Sequence, residues 1–544
     1  MNLLEERWMP VRLHDGGREW VAPHQLSDPR IAAFDADRAD FNGALAQFAI
    51  GLLQTSTPVD SAIEWRGLFN IAPDCEALKE WFRPYKTAFQ FDGDGARFMQ
   101  DFDLRVTDGE SLGIGSLLIE TPGENTLKNN SDHFIKRGLV NQLCPGCAAL
   151  ALFTLQLNAP AGGAGHRTGL RGGGPLTTLL VAEQRPDVPR SLWDDLWLNV
   201  RGRHGFLTSG DDADKAAPHL SFPWLASVTA VQSEGGAIAP IQMHPAHVFW
   251  AMPRRIRLDF DAVCAGTCEL CDRNSDRLVR HYVTRNHGLN YKGPWSHPLS
   301  PYYESKEGWL PLHPQPGGLG YRHWLAWVLG MQNEKRNVRR AEAIAQFFNA
   351  QVERRTGVGL RLWAFGYDMD NMKARCWYEA TVPLYSLGDC SPDLQKALRE
   401  EIGSWLAGAE LSVQYARGAV KDAWFGGDAR GEFGFVDAAF WSHTEPAFYE
   451  LLRERIKAAR EGLTMDRQAI AERWLALLRA AALRLFDKEL VGTGPIERQN
   501  PARIAKAHHQ LVSNLNGPKL RAALGLPVKV KPTLNKTQGA AKAA

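Results

Sequence analysis

The chain lacks what would place it in a membrane, outside the cell or in a fibre. No apolar run approaches the ~20 residues of a membrane span, and the richest, Ala148 to Leu157, is about half as long. Eight cysteines in 544 residues are too few for a disulfide scaffold. Charge of one sign is missing too: 63 Lys+Arg face 61 Asp+Glu, which excludes a uniformly basic chain that would adhere to every polyanion and leaves only local fields. No internal repeat, heptad array or low-complexity block is present, so solenoid and fibrous architectures lack support. The opening Met1 to Arg7 meets Glu5 and Glu6 before any apolar signal core could form, which predicts a mature cytoplasmic protein with no membrane association.

What is present predicts an α+β protein of several domains. From residue 1 to about 388, short apolar runs, Trp-rich segments and frequent Gly and Pro breaks read as a large irregular mixed body of strands, helices and long loops. From Ser391 the pattern turns helical, with Ser391 as N-cap, Pro392 at the first helical position and Asp393 in the first turn. Helices are expected over Asp393 to Gln414, Pro446 to Gly462, Thr464 to Leu490 and Ala502 to Leu524. In the third, Ile470, Trp474, Leu477, Leu478, Ala481 and Leu485 recur at three- and four-residue spacing and demand partner helices. Residues 391–526 therefore read as an all-α four-helix bundle, and 527–544, with four lysines and no acid, as a flexible basic tail.

The cysteines are unevenly placed. Cys144-Pro145-Gly146-Cys147 and Cys268-Glu269-Leu270-Cys271 are two CxxC knuckles, each able to aim two thiolates at one ion. Together they supply the four ligands of a closed tetrahedral structural zinc site, a staple with no open position to activate water. Two unrelated knuckles or reactive dithiols are the alternative, and Cys264, four residues before Cys268, is a possible substitute ligand.

Other segments offer binding chemistry. Ala159 to Pro175 packs seven glycines around His166, Arg167 and Arg171, yet neither GxxxxGK[ST] nor GxGxxG fits it. It reads either as a loop packing on a neighbouring subunit or as a nucleic-acid contact, with both arginines open to phosphate or carboxylate. Thr121 to Gly138 combines Asn125, Asn129 and Asn130 with Lys128, Lys136 and Arg137, side chains suited to groove edges and phosphates. Gly366 to Arg375 is a glycine-led turn ending in Lys373 and Arg375. Asp368 and Asp370 on it, with His287, would be the metal ligands of a nuclease, the enzymatic alternative. A zinc-stapled scaffold whose loops hold only protein partners is the third class. No spacing of base, nucleophile and orienting group accompanies His281, His287 or His297, which read as structural.

In order along the chain these motifs resemble a known family, the large subunit (CasA) of the type I-E CRISPR Cascade surveillance complex. The resemblance spans nearly the whole chain. It rests on Met1-Asn2-Leu3-Leu4 with Trp8-Met9-Pro10-Val11, on Cys144 to Phe153, on Gly169 to Thr178, on the second knuckle, on Trp295 to Pro301 and on Gly366-Tyr367. It implies a non-catalytic subunit at the 5′ end of the CRISPR guide RNA, assembled with other Cascade proteins. Such a subunit recognises the protospacer-adjacent motif in target double-stranded DNA, wedges the duplex open and helps recruit the nuclease-helicase. Carried over by position, the wedge falls on Gly366 to Lys373 with Asn371 and Met372 at its tip. The first DNA-contacting loop falls on Asn125 to Lys136, including Lys128, Asn129 and Asn130. The groove-entering basic residue is Arg285 or Lys292, and the family's zinc falls on Cys144, Cys147, Cys268 and Cys271. The wedge tip Asp370-Asn371-Met372 departs from the family's polar tip, so motif preference does not transfer.

Overall fold

A computed structural model describes residues 1–123, 127–129, 138–163, 165–183, 189–207, 217–332, 337–349, 359–370, 373–385, 387, 390–425, 431, 433–493 and 500–528. The basic tail beyond 528 lies outside them. They divide between two compact units, Met1–Leu319 with Ala326–Gly388, and Gly320–Leu325 with Asp389–Ala544. None of the described helices is long and apolar enough to cross a membrane.

The first unit is organised by two helices that are apolar on every side and therefore have to be covered on every side. Helix α1 (Ala39–Ser56) buries nearly its whole length, and α2 (Pro145–Asn158), which contains the Ala148 to Leu157 run, does the same. They meet at Phe48, whose ring has Trp8, Phe89, Phe98, Phe153 and Trp250 around it at centroid distances of 5.3–5.8 Å, all steeply inclined. Edge-to-face packing of this kind adds to the area term for each pair.

Short strands wrap this core. In chain order those that matter for the site are β1 (Met9–Leu13), β2 (Arg18–Val21), β3 (Ile31–Phe34), β4 (Ser111–Gly113), β5 (Thr177–Ala182), β6 (Arg255–Leu258), β7 (Cys264–Thr267), β8 (Asn274–Leu278), β9 (His281–Arg285), β10 (Leu360–Asp370) and β11 (Lys373–Pro383). They form antiparallel sheets of order β2-β1-β3, β4-β9-β6, β7-β8 and β11-β10-β5. A further four-stranded sheet uses Tyr302–Ser305, Gly308–Pro311, Met331–Gln332 and Asn337–Arg339.

The second unit is the expected helical bundle with different boundaries. Helix α3 (Pro392–Trp424) opens as the sequence predicts, with the Ser391 hydroxyl accepting from Leu394 N at 3.3 Å. It runs ten residues past the expected end at Gln414, because Ala416, Ala419, Val420 and Ala423 extend the buried stripe. Helix α4 (Gly434–Arg460) does not begin at Pro446 but passes through it. The stripe Val436, Phe440, Trp441, Thr444, Phe448, Leu451 and Leu452 is continuous across the proline. Pro446 and Ser442, whose carbonyl loses its partner, both reach the surface, so water can satisfy that carbonyl.

Helix α5 (Arg467–Arg484), capped by Asp466, continues into a π-helical turn over Leu485–Leu490. The expected last helix is two, α6 (Pro501–Leu515) and α7 (Pro518–Ala523), split where Gly517 caps and Pro518 removes a donor. Helix α3 packs against the other four. The Trp474 indole donates to Trp405 O at 3.0 Å, and Arg455 and Glu401 form a buried ion pair at 3.0 Å.

Phe48→Ala should lower the stability of the first unit by about 3–5 kcal/mol, and Phe48→Leu by less than half as much, in urea unfolding followed by tryptophan emission. A loss below about 1 kcal/mol for the alanine variant would show that the ring is not the centre of the core.

Candidate metal centre and nucleic-acid interface

The two knuckles come together from opposite ends of a 120-residue excursion. Cys144 is the N-cap of α2, Pro145 its first residue, and Cys147 lies in the first turn, so both sulfurs sit at the start of a buried helix. Cys268 and Cys271 occupy the tight turn from β7 to β8. Cys268 N donates to Arg273 O at 2.9 Å and Asp272 N to Cys268 O at 3.0 Å, with Asp272 at φ 56°. Backbone bonds hold the two segments side by side: Leu143 N donates to Val279 O at 3.0 Å, and Val279 N to Leu143 O at 2.8 Å. The Gln142 amide donates to Thr267 O at 3.0 Å.

All four sulfurs lie within 4.8 Å of one another, with Cys144 Sγ and Cys271 Sγ 3.7 Å apart. Four thiolates ~2.3 Å from one tetrahedral centre stand roughly 3.8 Å apart, so the donor set fits a closed four-sulfur site. Hydrogen bonding from Cys144, then Cys147 and Cys271, pulls the Cys268 thiol down. Hydrogen bonding to Cys144, Cys268 and Cys271, with burial, pushes Cys147 well up. A cation bound there would replace the protons of these crowded sulfurs. Cys264 is outside the quartet, half-buried, its thiol directed at the Gln142 amide oxygen 3.9 Å away. Arg273, inside the knuckle turn, stacks over Trp20 of β2 at 4.6 Å, and Arg18 is 5.1 Å from the same ring.

The residues expected to contact DNA are dispersed. Lys128 and Asn129 are exposed on a short helical turn, whereas Asn125, Asn130 and Lys136 lie outside the described residues. Arg285 ends β9, exposed, with its guanidinium donating to the Asp108 carbonyl, and Lys292 is exposed further along. Beside Arg285, His287 N donates to Gly165 O at 2.8 Å. Gly165, at φ +82°, has room for no side chain, since a Cβ there would come within 2.8 Å of the His287 ring. A small loop closed by a Gly162 to His166 bridge is thereby laid against the Arg285-Asn286 edge.

Three expectations need correction. Gly366 does not lead a turn: it lies buried in the middle of β10, where a Cβ would stand 2.5 Å from Pro175 O. The turn comes later, between Asp370 and Lys373, the last register pair of an antiparallel hairpin of two eleven-residue strands. Lys373 is exposed there, and Asn371 and Met372 lie outside the described residues.

Arg171 is not open to a ligand. It is 3% exposed and donates to Thr177 Oγ1 and Ser300 Oγ at 2.9 Å and to Gln47 Oε1 at 2.5 Å. Burial without a carboxylate partner lowers its pKa to about 10. The glycine-rich stretch around it packs on its own chain, with Gly174 at φ +61° against Tyr367 of β10. Arg167 donates to the Ser233 and Glu234 carbonyls at 3.0 and 2.6 Å.

The acids of the nuclease alternative are neutralised. A register shift between Asp368 and Met369 brings Arg375 onto the buried Asp368 at 2.8 Å and within 3.8 Å of Asp370. Among the described residues, the cysteine quartet is the one cluster of three or more His, Cys, Asp or Glu groups able to share an ion, and Asp368, Asp370 and His287 form none. His297 is buried and burial drives its pKa far down, so it is a neutral core residue. Sequence reasoning missed Arg38, Asp40 and Glu120. They lie far from the hairpin along the chain yet adjoin it through Tyr367.

Residues 2–485 match the family of the CRISPR-associated protein Cse1. The fold is similar to that of CasA from Thermus thermophilus, with a TM-score of 0.67 at 18% identity, covering 96% of this chain and 99% of that one. It is similar to Cse1 from Thermobifida fusca, with a TM-score of 0.64 at 14% identity over 96% of this chain and 98% of that one. It is also similar to a chain of a CRISPR RNA-guided surveillance complex, with a TM-score of 0.64 at 17% identity over 95% of this chain and 99% of that one.

Metal analysis of the purified chain should return one equivalent of a thiophilic divalent metal. Cys268→Ser should abolish it and lower thermal stability by roughly 5 °C or more, while Cys264→Ser should retain both.

Proposed function

The chain belongs to the CRISPR-associated Cse1 family, the large subunit of type I-E Cascade, and from that premise we propose that it is the subunit that recognises the protospacer-adjacent motif. In this reading it scans target double-stranded DNA, parts the first base pairs at the β10–β11 hairpin, and helps recruit the nuclease-helicase without cleaving anything itself. The quartet of cysteines holds zinc as a structural staple, the ion that suits four thiolates in a closed tetrahedral site.

What supports the reading is chiefly the hairpin. Its strands are long, its base is held in a sheet, and its last register pair, Asp370 with Lys373, is exposed and includes a cation. Acids next to such a tip would repel phosphate, but Arg375 neutralises them. Lys128, Asn129, Arg285 and the Gly162 to His166 loop supply amide, cationic and backbone donors. The minor groove shows mostly acceptors, so such donors give coarse, tolerant discrimination. Parting a base step costs a few kcal/mol, which groove contacts and guide pairing would offset.

In the assembled complex, Asn371→Ala with Lys373→Ala should slow opening of a motif-bearing duplex by about tenfold while leaving assembly intact and reducing the salt dependence of binding by one phosphate contact. Unchanged opening would refute the wedge. Equal affinity for targets with and without the motif would favour a scaffold role for the subunit.

A further inference from the structure

Two candidate DNA-contacting segments leave the core at points that a single arginine joins. The loop beginning at Thr121 emerges directly after Glu120, and the hairpin tip begins four residues beyond Tyr367. Arg38, immediately before α1, bonds Glu120 directly and reaches the hairpin through Asp40. Its guanidinium forks onto Glu120, with Nη1 to Oε1 at 2.5 Å and Nη2 to Oε2 at 2.8 Å. Its other edge forks onto Asp40, with Nε to Oδ1 at 3.0 Å and Nη2 to Oδ2 at 2.9 Å. Tyr367 OH then donates to Asp40 Oδ2 at 2.6 Å.

Asp40 is 4% exposed and also accepts from Phe41 N at 3.1 Å, so it is fixed to the first turn of the buried helix α1. Burial and the Asp40 carboxylate push the Tyr367 phenol far up, so it remains a donor at neutral pH. Two bidentate forks on one planar guanidinium fix angle as well as distance, which an ammonium could not do. In the recess lined by Arg38, Asp40, Glu120, Tyr367, Arg375 and Trp377, both Asp40 oxygens therefore accept two bonds each from within the chain and have none to spare for a ligand.

We propose that Arg38 is a positioning residue that holds the Glu120 loop and the β10–β11 hairpin at one fixed separation, so that motif contact by the first and strand parting by the second act on the same duplex in register. This rests on the DNA-opening reading given above. A duplex presents its groove edge and its first base pair at a set spacing, and two elements on separate loops can use both only if their roots do not move relative to each other. Arg38 itself touches no DNA in this scheme.

The test uses the assembled complex with Tyr367→Phe, which deletes one hydroxyl, and Arg38→Lys, which keeps the charge but loses the forks. Opening is read from fluorescence of 2-aminopurine at the first base pair, and association from motif-bearing duplex binding. Each variant should slow opening by about tenfold with association changed less than about twofold, the double variant should be no slower than the slower single one, and a target with mismatched first pairs should restore the wild-type rate. Unaltered opening in both variants would overturn the proposal, as would additive effects or failure of the mismatched target to restore the rate, since those mark general damage. If the wild-type complex itself neither prefers the motif nor opens the duplex, the functional reading falls first, and the proposal with it.

Discussion

Two apolar helices that must be covered on all sides set the terms for the rest of the first unit. With α1 and α2 crossed at Phe48, every strand and loop around them becomes a wrapping layer, which is why that unit has several small sheets and no dominant one. The same burial explains where polar chemistry can occur. A buried helix exposes unpaired backbone N–H groups at its start, and two polar centres of the unit sit at such starts, whereas the Arg171 cluster meets α1 midway, at Gln47. Arg38 and Asp40 lie at the beginning of α1, and Cys144 and Cys147 at the beginning of α2. The two helix starts converge on a small cavity lined by Arg38, Phe41, Cys144, Cys147 and Cys271, so the sulfur quartet and the arginine forks support one another's surroundings.

That convergence bears on how a nearly neutral chain could handle a polyanion. Most arginines near the candidate interface are occupied: Arg38 by two carboxylates, Arg375 by Asp368 and Asp370, Arg171 by hydroxyls and an amide. Lys373 and Lys292 are exposed. A face crowded with unpaired cations would bind any duplex tightly, whereas a sparse set on a stiff frame permits weak, salt-sensitive sampling.

The sequence was legible where the signal is local. Ser391-Pro392 marks the start of α3 because capping needs only neighbouring residues, and two CxxC spacings name the sulfur ligands because each turn has to make its own pair. Local signals also misled. Pro446 stops a helix on propensity, but a continuous buried stripe on either side, with Ser442 and Pro446 themselves exposed, carries α4 through it. Gly517-Pro518 had the same breaking power and prevailed, because no such stripe crosses it. Gly366 looks like a turn glycine, yet its purpose is close approach to Pro175. Arg171 reads as an anion ligand from composition, and only the neighbours Gln47 and Ser300, 124 residues before it and 129 after, reveal it as internal. Asp40 and Tyr367 are separated by 327 positions, and nothing in either segment announces the other.

The backbone pairing of Leu143 with Val279 beside the cysteine quartet has a topological effect. It turns the long excursion between the knuckles into a closed ring of chain, and a bridging ion would remove about 5 kcal/mol worth of freedom from the unfolded ring. A protease cut on that ring would therefore nick the polypeptide without releasing a fragment, the pieces staying joined through the packed core and, where an ion bridges the sulfurs, through that ion as well.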